Sequence, residues 1–238
     1  MASFNLMDSQ KTLVFLHGWG ATAKIFNTVF YYLKDEFNIR YFDLPGFGNT
    51  PIEKVMTLKD YAEFVYKFLK KNNIKEPIII GHSFGGAIAV KLSLLHPKSI
   101  SKLILVSASA VRQPRRKMLL LKKLADVLKP LLPKKLRKFI LKILRLDKTD
   151  YAQIDSQKLK ETFKKIINED LSPYLSSVKI PTLVIWGEKD IVTPLKEGEI
   201  IAKSIPNAKL SVIKNAGHFR FLEKPEEFIK LIKEFIAL

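Results

Sequence analysis

The chain alternates between two spacings of apolar residues, one typical of strands and the other of helices. Short apolar runs predict strands at residues 11–17, 38–43, 77–81, 102–106, 181–186 and 208–213. Apolar residues three and four positions apart predict helices at residues 58–71, 84–95, 195–204 and 225–237. Thr193 and Pro194 suit the start of the third helix, as an N-cap followed by proline at the first helical position. We therefore expect an α/β fold with a mostly parallel central sheet flanked by helices.

The alternation stops between residues 111 and 172, where no run predicts a strand. Three helical segments, near residues 115–129, 133–146 and 156–168, each carry one apolar face and one basic face. This pattern predicts a helical insertion at residues 111–172 within an α/β core formed by residues 1–110 and 173–238.

The composition excludes cysteine chemistry and indicates where in the cell the protein is expected. The 238 residues include no cysteine, which excludes disulfides and thiolate metal sites. The longest stretch without a charge, residues 77–90, has 14 residues, whereas a bilayer span needs roughly 20. The first residues lack a basic segment followed by a long apolar one, so we expect no signal peptide and a cytoplasmic protein.

The net charge of +18 is distributed unevenly along the chain. Residues 112–170 hold 18 Lys and Arg against 7 Asp and Glu, a net charge of +11 in a quarter of the chain. A basic balance raises the question of nucleic acid or an anionic membrane as a partner. The sequence shows neither a recognition-helix module nor a basic groove interleaved with aromatic residues, so we do not expect nucleic acid binding.

The segment GHSFGG, residues 81–86, lies between an apolar strand and a helix. A serine in Gly-x-Ser-x-Gly at such a junction sits on a strained turn, with its hydroxyl exposed above the sheet. The N-terminus of the following helix places a positive dipole where negative charge would develop. Ser83 is therefore a candidate nucleophile, and a glycine-rich turn with an incidental serine is the alternative.

A serine nucleophile needs a base, which a carboxylate then orients. His218 follows the last predicted strand in a glycine-containing loop and is the candidate base. Asp190 follows the strand before it and is the candidate orienting acid, with Glu188 and Asp170 as competitors. The order Ser83, Asp190, His218 is that of one known hydrolase scaffold.

The segment HGWG, residues 17–20, follows the first predicted strand. The backbone N–H of Trp19 could join that of Phe84 to hold the oxyanion of a tetrahedral intermediate. His17 and Gly18 are candidate substrate-binding residues.

The same segment also resembles part of a dinucleotide-binding fingerprint. Gly18, Gly20 and Ala23 follow a strand, and Asp43 ends the next one. This interpretation leaves GHSFGG, Asp190 and His218 without a role, so we do not favour it.

Taken together, the motifs are similar to those of α/β-hydrolase fold enzymes along nearly the whole chain. The matching segments are HGWG (17–20), DLPGFG (43–48), GHSFGG (81–86), WGEKD (186–190) and AGH (216–218). The resemblance implies a triad of Ser83 as nucleophile, His218 as base and Asp190 as the acid that orients it. It also implies that the oxyanion hole lies at Trp19 and Phe84, and that the helical insertion is a cap over the pocket.

Within that family, HGWG and the chain length resemble the small carboxylesterases that include carrier-protein methyl esterases of the biotin pathway. The resemblance implies hydrolysis of esters, or of lactones or thioesters, with small to medium, largely apolar acyl groups. The alternatives are a carbon–carbon bond hydrolase with the same triad and a non-catalytic binding protein on the same scaffold. Without a His-Glu-x-x-His motif or a carboxylate-rich calcium loop, we expect neither metal nor cofactor.

The basic insertion suggests a partner, because the resemblance implies that it is the gate through which substrate reaches the pocket. An acidic acyl-carrier protein or an anionic lipid surface would suit its charge. The alternative is that the lysines only keep amphipathic helices soluble.

Overall fold

The computed structural model describes residues 10–112 and 156–238, whose strands form one parallel sheet. The strands are β1 (Thr12–Leu16), β2 (Asn38–Tyr41), β3 (Ile78–His82), β4 (Lys102–Val106), β5 (Thr182–Gly187) and β6 (Ala208–Ile213). They lie in the order β2-β1-β3-β4-β5-β6, and each neighbouring pair is parallel. The predicted α/β class and the predicted strands are confirmed, with strand ends shifted by at most about two residues.

Helices cover both faces of this sheet. They are α1 (Asn27–Leu33), α2 (Leu58–Lys71), α3 (Phe84–Leu95), α4 (Gln157–Ile166), α5 (Leu195–Ser204), α6 (Arg220–Glu223) and α7 (Pro225–Ala237), with 3-10 turns at Ala23–Phe26, Pro97–Ser99 and Ser172–Ser177. The predictions of α2, α3, α5 and α7 are confirmed at both ends, whereas α1 and the short α6 were not predicted. None of the helices in the two described ranges combines the length and apolar character that crossing a membrane requires.

Of the predicted helical insertion, the structure describes only the C-terminal end. Its third predicted helix is α4, and Ser156 caps it by accepting a hydrogen bond from the Leu159 N–H. The helices predicted near residues 115–129 and 133–146 lie outside the described residues. Helix α4 packs against the loop that precedes α2, where the Met56 N–H donates to Thr162 Oγ1 over 2.9 Å.

The sheet separates two apolar layers, because alternate residues of each strand face opposite sides. In β1, Val14 and Leu16 belong to the layer under α2 and α3. Leu13 and Phe15 belong to the layer under α1 and α7. The central strands β3 and β5 are buried along their whole length, as expected for parallel strands covered on both faces.

The strand order reverses at β1, so we expect a crevice at the carboxyl ends of β1 and β3. The chain goes from β1 to its neighbour β2, and then crosses to the other side of β1 to form β3. In open α/β sheets, such a reversal of strand order opens a crevice where ligands bind. HGWG follows β1 and Ser83 follows β3, so both lie at this position.

The predicted cap of α5 is wrong. Pro194 occupies the N-cap position, and no side chain caps the helix. The Thr193 hydroxyl donates instead to Asp190 Oδ2 over 3.0 Å. Thr193 therefore belongs to the surroundings of the carboxylate, which the local sequence pattern could not show.

Candidate active site

Ser83 joins β3 to α3 in a left-handed backbone conformation, with φ 51° and ψ −112°. This conformation favours glycine and costs another residue on the order of 1–3 kcal/mol. The Ser83 N–H donates to the Val106 carbonyl, and the Ser83 carbonyl accepts from the Ser109 N–H, both over 2.9 Å. A Cβ on Gly85 would lie 2.2 Å from the Leu16 carbonyl oxygen, so only glycine lets α3 approach β1 this closely. The turn is thus held between β1 and β4, the two strands on either side of β3.

His218 and Asp190 meet at the same edge of the sheet. His218 Nδ1 lies 2.9 Å from Asp190 Oδ2 and 3.1 Å from Oδ1. The competing acids lie elsewhere. The Glu188 carboxylate accepts the Asn215 N–H on the surface, and Asp170 lies at the base of the insertion, where it accepts a backbone N–H. Of the three candidate acids, Asp190 is the one in contact with the histidine.

The Asp190 carboxylate is ionised although its side chain is inaccessible to solvent. Burial alone raises the pKa of a carboxyl group. Here the hydrogen bond and charge of His218, together with hydrogen bonds from Ser107 and the Thr193 N–H, hold the pKa of Asp190 well below its usual range. An ionised acceptor at Nδ1 favours the tautomer that leaves His218 Nε2 able to take a proton.

Two residues that sequence reasoning missed complete the surroundings of Asp190. Arg220, in α6, is fully buried, and its Nη2 lies 2.9 Å from Asp190 Oδ2. Ser107 Oγ contacts both the carboxylate and the guanidinium. Burial lowers the pKa of Arg220 to about 10, against the opposing effect of Asp190, so the guanidinium stays charged at neutral pH. The only sequence signal for Arg220 is a lone cation between two phenylalanines, two residues after His218.

His82 connects the serine turn to the histidine loop. Its ring centroid lies 4.7 Å from that of His218, and its Nε2 lies 3.1 Å from the His218 carbonyl oxygen. Burial, reinforced by the charges of His218 and Arg220, lowers the pKa of His82 well below its ordinary value. Ser83 follows His82 directly, so this contact brings the serine and histidine segments together. Among the hydrogen bonds of the described residues, none joins Ser83 Oγ to the His218 ring, and the triad stays a prediction.

Trp19 and Phe84, the predicted oxyanion-hole residues, lie against each other with ring centroids 5.3 Å apart. In the described part of the chain, neither backbone N–H donates to another protein group. The Trp19 ring also packs on Phe47 and on Phe163 of α4, at centroid distances of 4.9 and 5.0 Å. These four rings form an aromatic cluster that links the HGWG loop to α4.

His17 and Gly18 occupy different environments. A Cβ on Gly18 would lie 3.4 Å from Ser83 Cβ, so Gly18 lies directly against the serine turn. His17 is buried. Its Nε2 accepts the Leu44 N–H over 2.9 Å, and its Nδ1 donates to the Gly18 carbonyl over 2.8 Å. Burial lowers the pKa of His17, which keeps the ring neutral. We therefore interpret His17 as a link between two loops rather than a substrate contact.

The acidic residue of the candidate dinucleotide fingerprint forms hydrogen bonds within the protein. Asp43 Oδ1 accepts the Ala23 N–H over 2.9 Å, and Oδ2 accepts the Asn49 N–H over 3.3 Å. Asp43 thus holds the loop after β2 to the loop after β1. Within residues 10–112 and 156–238, no three His, Asp or Glu side chains are grouped as metal ligands would be.

Comparison with known proteins gives consistent matches over almost the full chain. The chain matches the family described as alpha/beta hydrolase fold over residues 11–162 and 155–225. It is 32% identical to the pimeloyl-[acyl-carrier protein] methyl ester esterase of Wigglesworthia glossinidia brevipalpis, over 94% of this chain and 93% of that protein. It is 27% identical to the protein of the same name from Photorhabdus laumondii subsp. laumondii, over 97% of this chain and 94% of that protein. The crystal structure of a hydrolase from Pseudomonas aeruginosa PA01 shares the fold, with a TM-score of 0.75, 24% identity and coverage of 96% and 91% of the two chains.

Proposed function

The chain belongs to the α/β-hydrolase fold family, and we propose that it hydrolyses carboxylic esters through an acyl-enzyme. The observation that carries the proposal is the contact of His218 Nδ1 with Asp190 at 2.9 Å, beside a serine on a strained turn. Both relatives described above are named as esterases, which supports an ester substrate.

In the proposed mechanism, Ser83 Oγ attacks the acyl carbon while His218 Nε2 takes its proton. The Asp190 carboxylate stabilises the imidazolium that forms. The N–H groups of Trp19 and Phe84 receive the oxyanion, and the N-terminus of α3 adds its dipole. His218 then gives its proton to the alcohol oxygen as the alcohol departs. The acyl group stays bonded to Ser83 Oγ. His218 then takes a proton from a water molecule, which attacks the acyl-enzyme. As the acid is released, His218 returns this proton to Ser83 Oγ.

The aromatic cluster supports an acyl group of hydrocarbon character. The rings of Trp19, Phe47, Phe84 and Phe163 pack on one another, and Phe84 directly follows the serine. A sugar or peptide placed against these apolar rings would leave polar groups unsatisfied. The relatives' names specify a pimeloyl methyl ester on an acyl-carrier protein. We extend the proposal to this class, an ester borne by an acidic carrier protein, because residues 112–170 carry a net charge of +11.

The central test is Ser83→Ala with two readouts, ester turnover and labelling by a fluorophosphonate, which reacts only with an activated serine. We expect turnover of p-nitrophenyl esters to fall by about 10⁶-fold in the folded variant. Labelling of Ser83→Ala should be absent. A panel of esters and lactones of graded acyl length, measured on the wild type, would then define the substrate range.

Ser109→Ala is the matched control, because Ser109 also follows a strand at this edge of the sheet. Its hydroxyl accepts a hydrogen bond from Arg112 Nη1 over 2.9 Å, and we expect the variant to keep both labelling and turnover. A folded Ser83→Ala protein that kept a tenth of the wild-type activity would refute the proposal. Labelling lost in Ser109→Ala and retained in Ser83→Ala would show that the nucleophile is Ser109 and that the assignment to Ser83 is wrong.

A further inference from the structure

Arg220 contacts every segment that carries the proposed acid and base. Its Nη2 lies 2.9 Å from Asp190 Oδ2, 2.9 Å from the Gly217 carbonyl oxygen and 3.2 Å from that of His218. Its Nη1 lies 3.2 Å from the Ile185 carbonyl oxygen in β5. One fully buried side chain therefore joins the strand before Asp190, the carboxylate itself and the backbone of the histidine loop.

The histidine loop is also held from its other side. The Glu223 carboxylate accepts the Gly217 N–H over 2.7 Å and the Phe219 N–H over 3.2 Å. Arg220 thus binds carbonyl groups of the loop, and Glu223 binds its N–H groups. Glu223 is exposed, so its charge is screened by water, whereas the charge of Arg220 lies in the interior.

We propose that Arg220 is a positioning residue for the hydrolytic reaction, which fixes Asp190 and the His218 loop and partly neutralises the carboxylate charge. The inference rests on the proposed function for its catalytic meaning, although the contacts themselves do not. A buried cation 2.9 Å from Asp190 weakens the attraction of that carboxylate for a positively charged His218 ring. Removal of the Arg220 charge should therefore favour the protonated imidazole, which cannot act as a base.

Few other charges face His218. In the described residues, the charged group in contact with the His218 ring is Asp190 in the loop after β5. The neighbouring titratable group is His82 of β3, whose buried ring is neutral. Glu223 is engaged with the backbone N–H groups on either side of His218. The effect of removing Arg220 on the titration of His218 can therefore be measured against few competing contributions.

The test measures the pH dependence of kcat/KM for a neutral ester in Arg220→Met, Arg220→Lys and the wild type. We expect the acid limb of Arg220→Met to move up by about 0.5–1 pH unit. Its kcat at the optimum should fall by about 10–100-fold with little change in KM, as for other residues that orient a reacting group. Arg220→Lys keeps the charge but loses the planar fork, so its kcat should fall while its acid limb stays in place.

Lys189→Met is the control for charge removal as such, because Lys189 is exposed and adjacent to Asp190 in sequence. Its acid limb should coincide with that of the wild type. An unshifted acid limb in Arg220→Met, with only a lower melting temperature, would mean structural support alone and would overturn the proposal. If Arg220→Met does not fold, Arg220→Lys decides, since a wild-type kcat in that variant excludes a positioning role.

NMR titration of the His218 ring separates this inference from the proposed function. The chain has four histidines, and His218→Asn would assign the signal. The titration midpoint in Arg220→Met should move up by the same amount as the acid limb, with no need for turnover. An inactive wild-type protein that still shows this shift would refute the ester hydrolase and retain the electrostatic role of Arg220. An active wild type without the shift would do the reverse.

Discussion

Asp190 places a negative charge in the interior beside the buried positive charge of Arg220 and the ring of His218. We expect Asp190→Asn to lower kcat by roughly 10⁴-fold, because an amide favours the wrong histidine tautomer. The variant should also lose about 3–5 kcal/mol of unfolding free energy, because Arg220 would be left as an unpaired buried charge. Steady-state kinetics and urea denaturation on the same preparation measure both effects.

Glu188→Gln is the matched control, because Glu188 lies two residues earlier and its exposed carboxylate accepts the Asn215 N–H. Both activity and stability should change little in this variant. If Glu188→Gln were the crippling change and Asp190→Asn a mild one, the acid would be wrongly assigned, while the serine mechanism could stand.

Among the residues of the candidate site, sequence patterns predicted those that follow strands and missed those that reach the site from elsewhere. Ser83, Asp190 and His218 are candidates from the sequence because each follows a strand, and the carboxyl ends of parallel strands meet at one edge of the sheet. Arg220 could not be predicted, because a four-residue helix has no periodicity to show where a side chain points. Ser107 could not either, because its contacts depend on a positive φ of 46° that Ser does not signal.

Among the elements, α3 is the one whose position depends most directly on glycine. We expect Gly85→Ala to lower the free energy of unfolding by about 3 kcal/mol or more, since its Cβ would lie 2.2 Å from the Leu16 carbonyl oxygen. Backbone must move at this contact, because a carbonyl group of β1 cannot turn away as a flexible side chain does. Urea denaturation with a comparison of m-values measures the loss.

Gly20→Ala is the control for this prediction. Gly20 has φ +73°, but no atom lies within 4 Å of the added Cβ, so the variant should lose only about 1 kcal/mol from the backbone. A loss in Gly85→Ala no larger than that in Gly20→Ala would show that the close approach of α3 to β1 does not limit this junction.

Helices were predicted where the periodic apolar pattern extends over many residues, and they were missed where the helix is short. Helix α2 has a capping box between Thr57 and Asp60 and a buried face along 14 residues, and both signals are visible in the sequence. Helix α1 has seven residues, of which only Val29 and Leu33 are buried, and no side chain caps it. Its existence depends on packing against α7, which no local pattern contains.

For the molecule as a whole, the strand reversal between β1 and β3 locates the site, and the charge distribution concerns access to it. The proposed oxyanion groups lie at this crevice, and α4 brings the described end of the basic insertion onto the same side through Phe163 and Trp19. A positive field at that side would attract an acidic carrier protein before the acyl chain enters. The division into core and insertion, at residues 111 and 172, stays a prediction.

Salt dependence distinguishes recruitment of a carrier from simple solubility of the lysine-rich helices. We expect kcat/KM for a carrier-borne methyl ester to fall several-fold between about 20 and 300 mM salt, because screening shortens the range of the field. A small neutral p-nitrophenyl ester should not respond. Reversing the charge of three lysines on α4, by Lys160→Glu, Lys164→Glu and Lys165→Glu, should reproduce the loss for the carrier substrate alone.

The matched control reverses three exposed lysines at the amino ends of the strands, by Lys70→Glu, Lys71→Glu and Lys75→Glu. It changes the net charge equally but far from the crevice, so the carrier substrate should be hydrolysed at nearly the wild-type rate. If both triple variants lose activity alike, total charge acts and the position of the basic insertion has no role. If an ester presented on anionic vesicles shows the salt response and the carrier-borne ester does not, the surface recruits lipid, and the carrier proposal is wrong while ester hydrolysis remains.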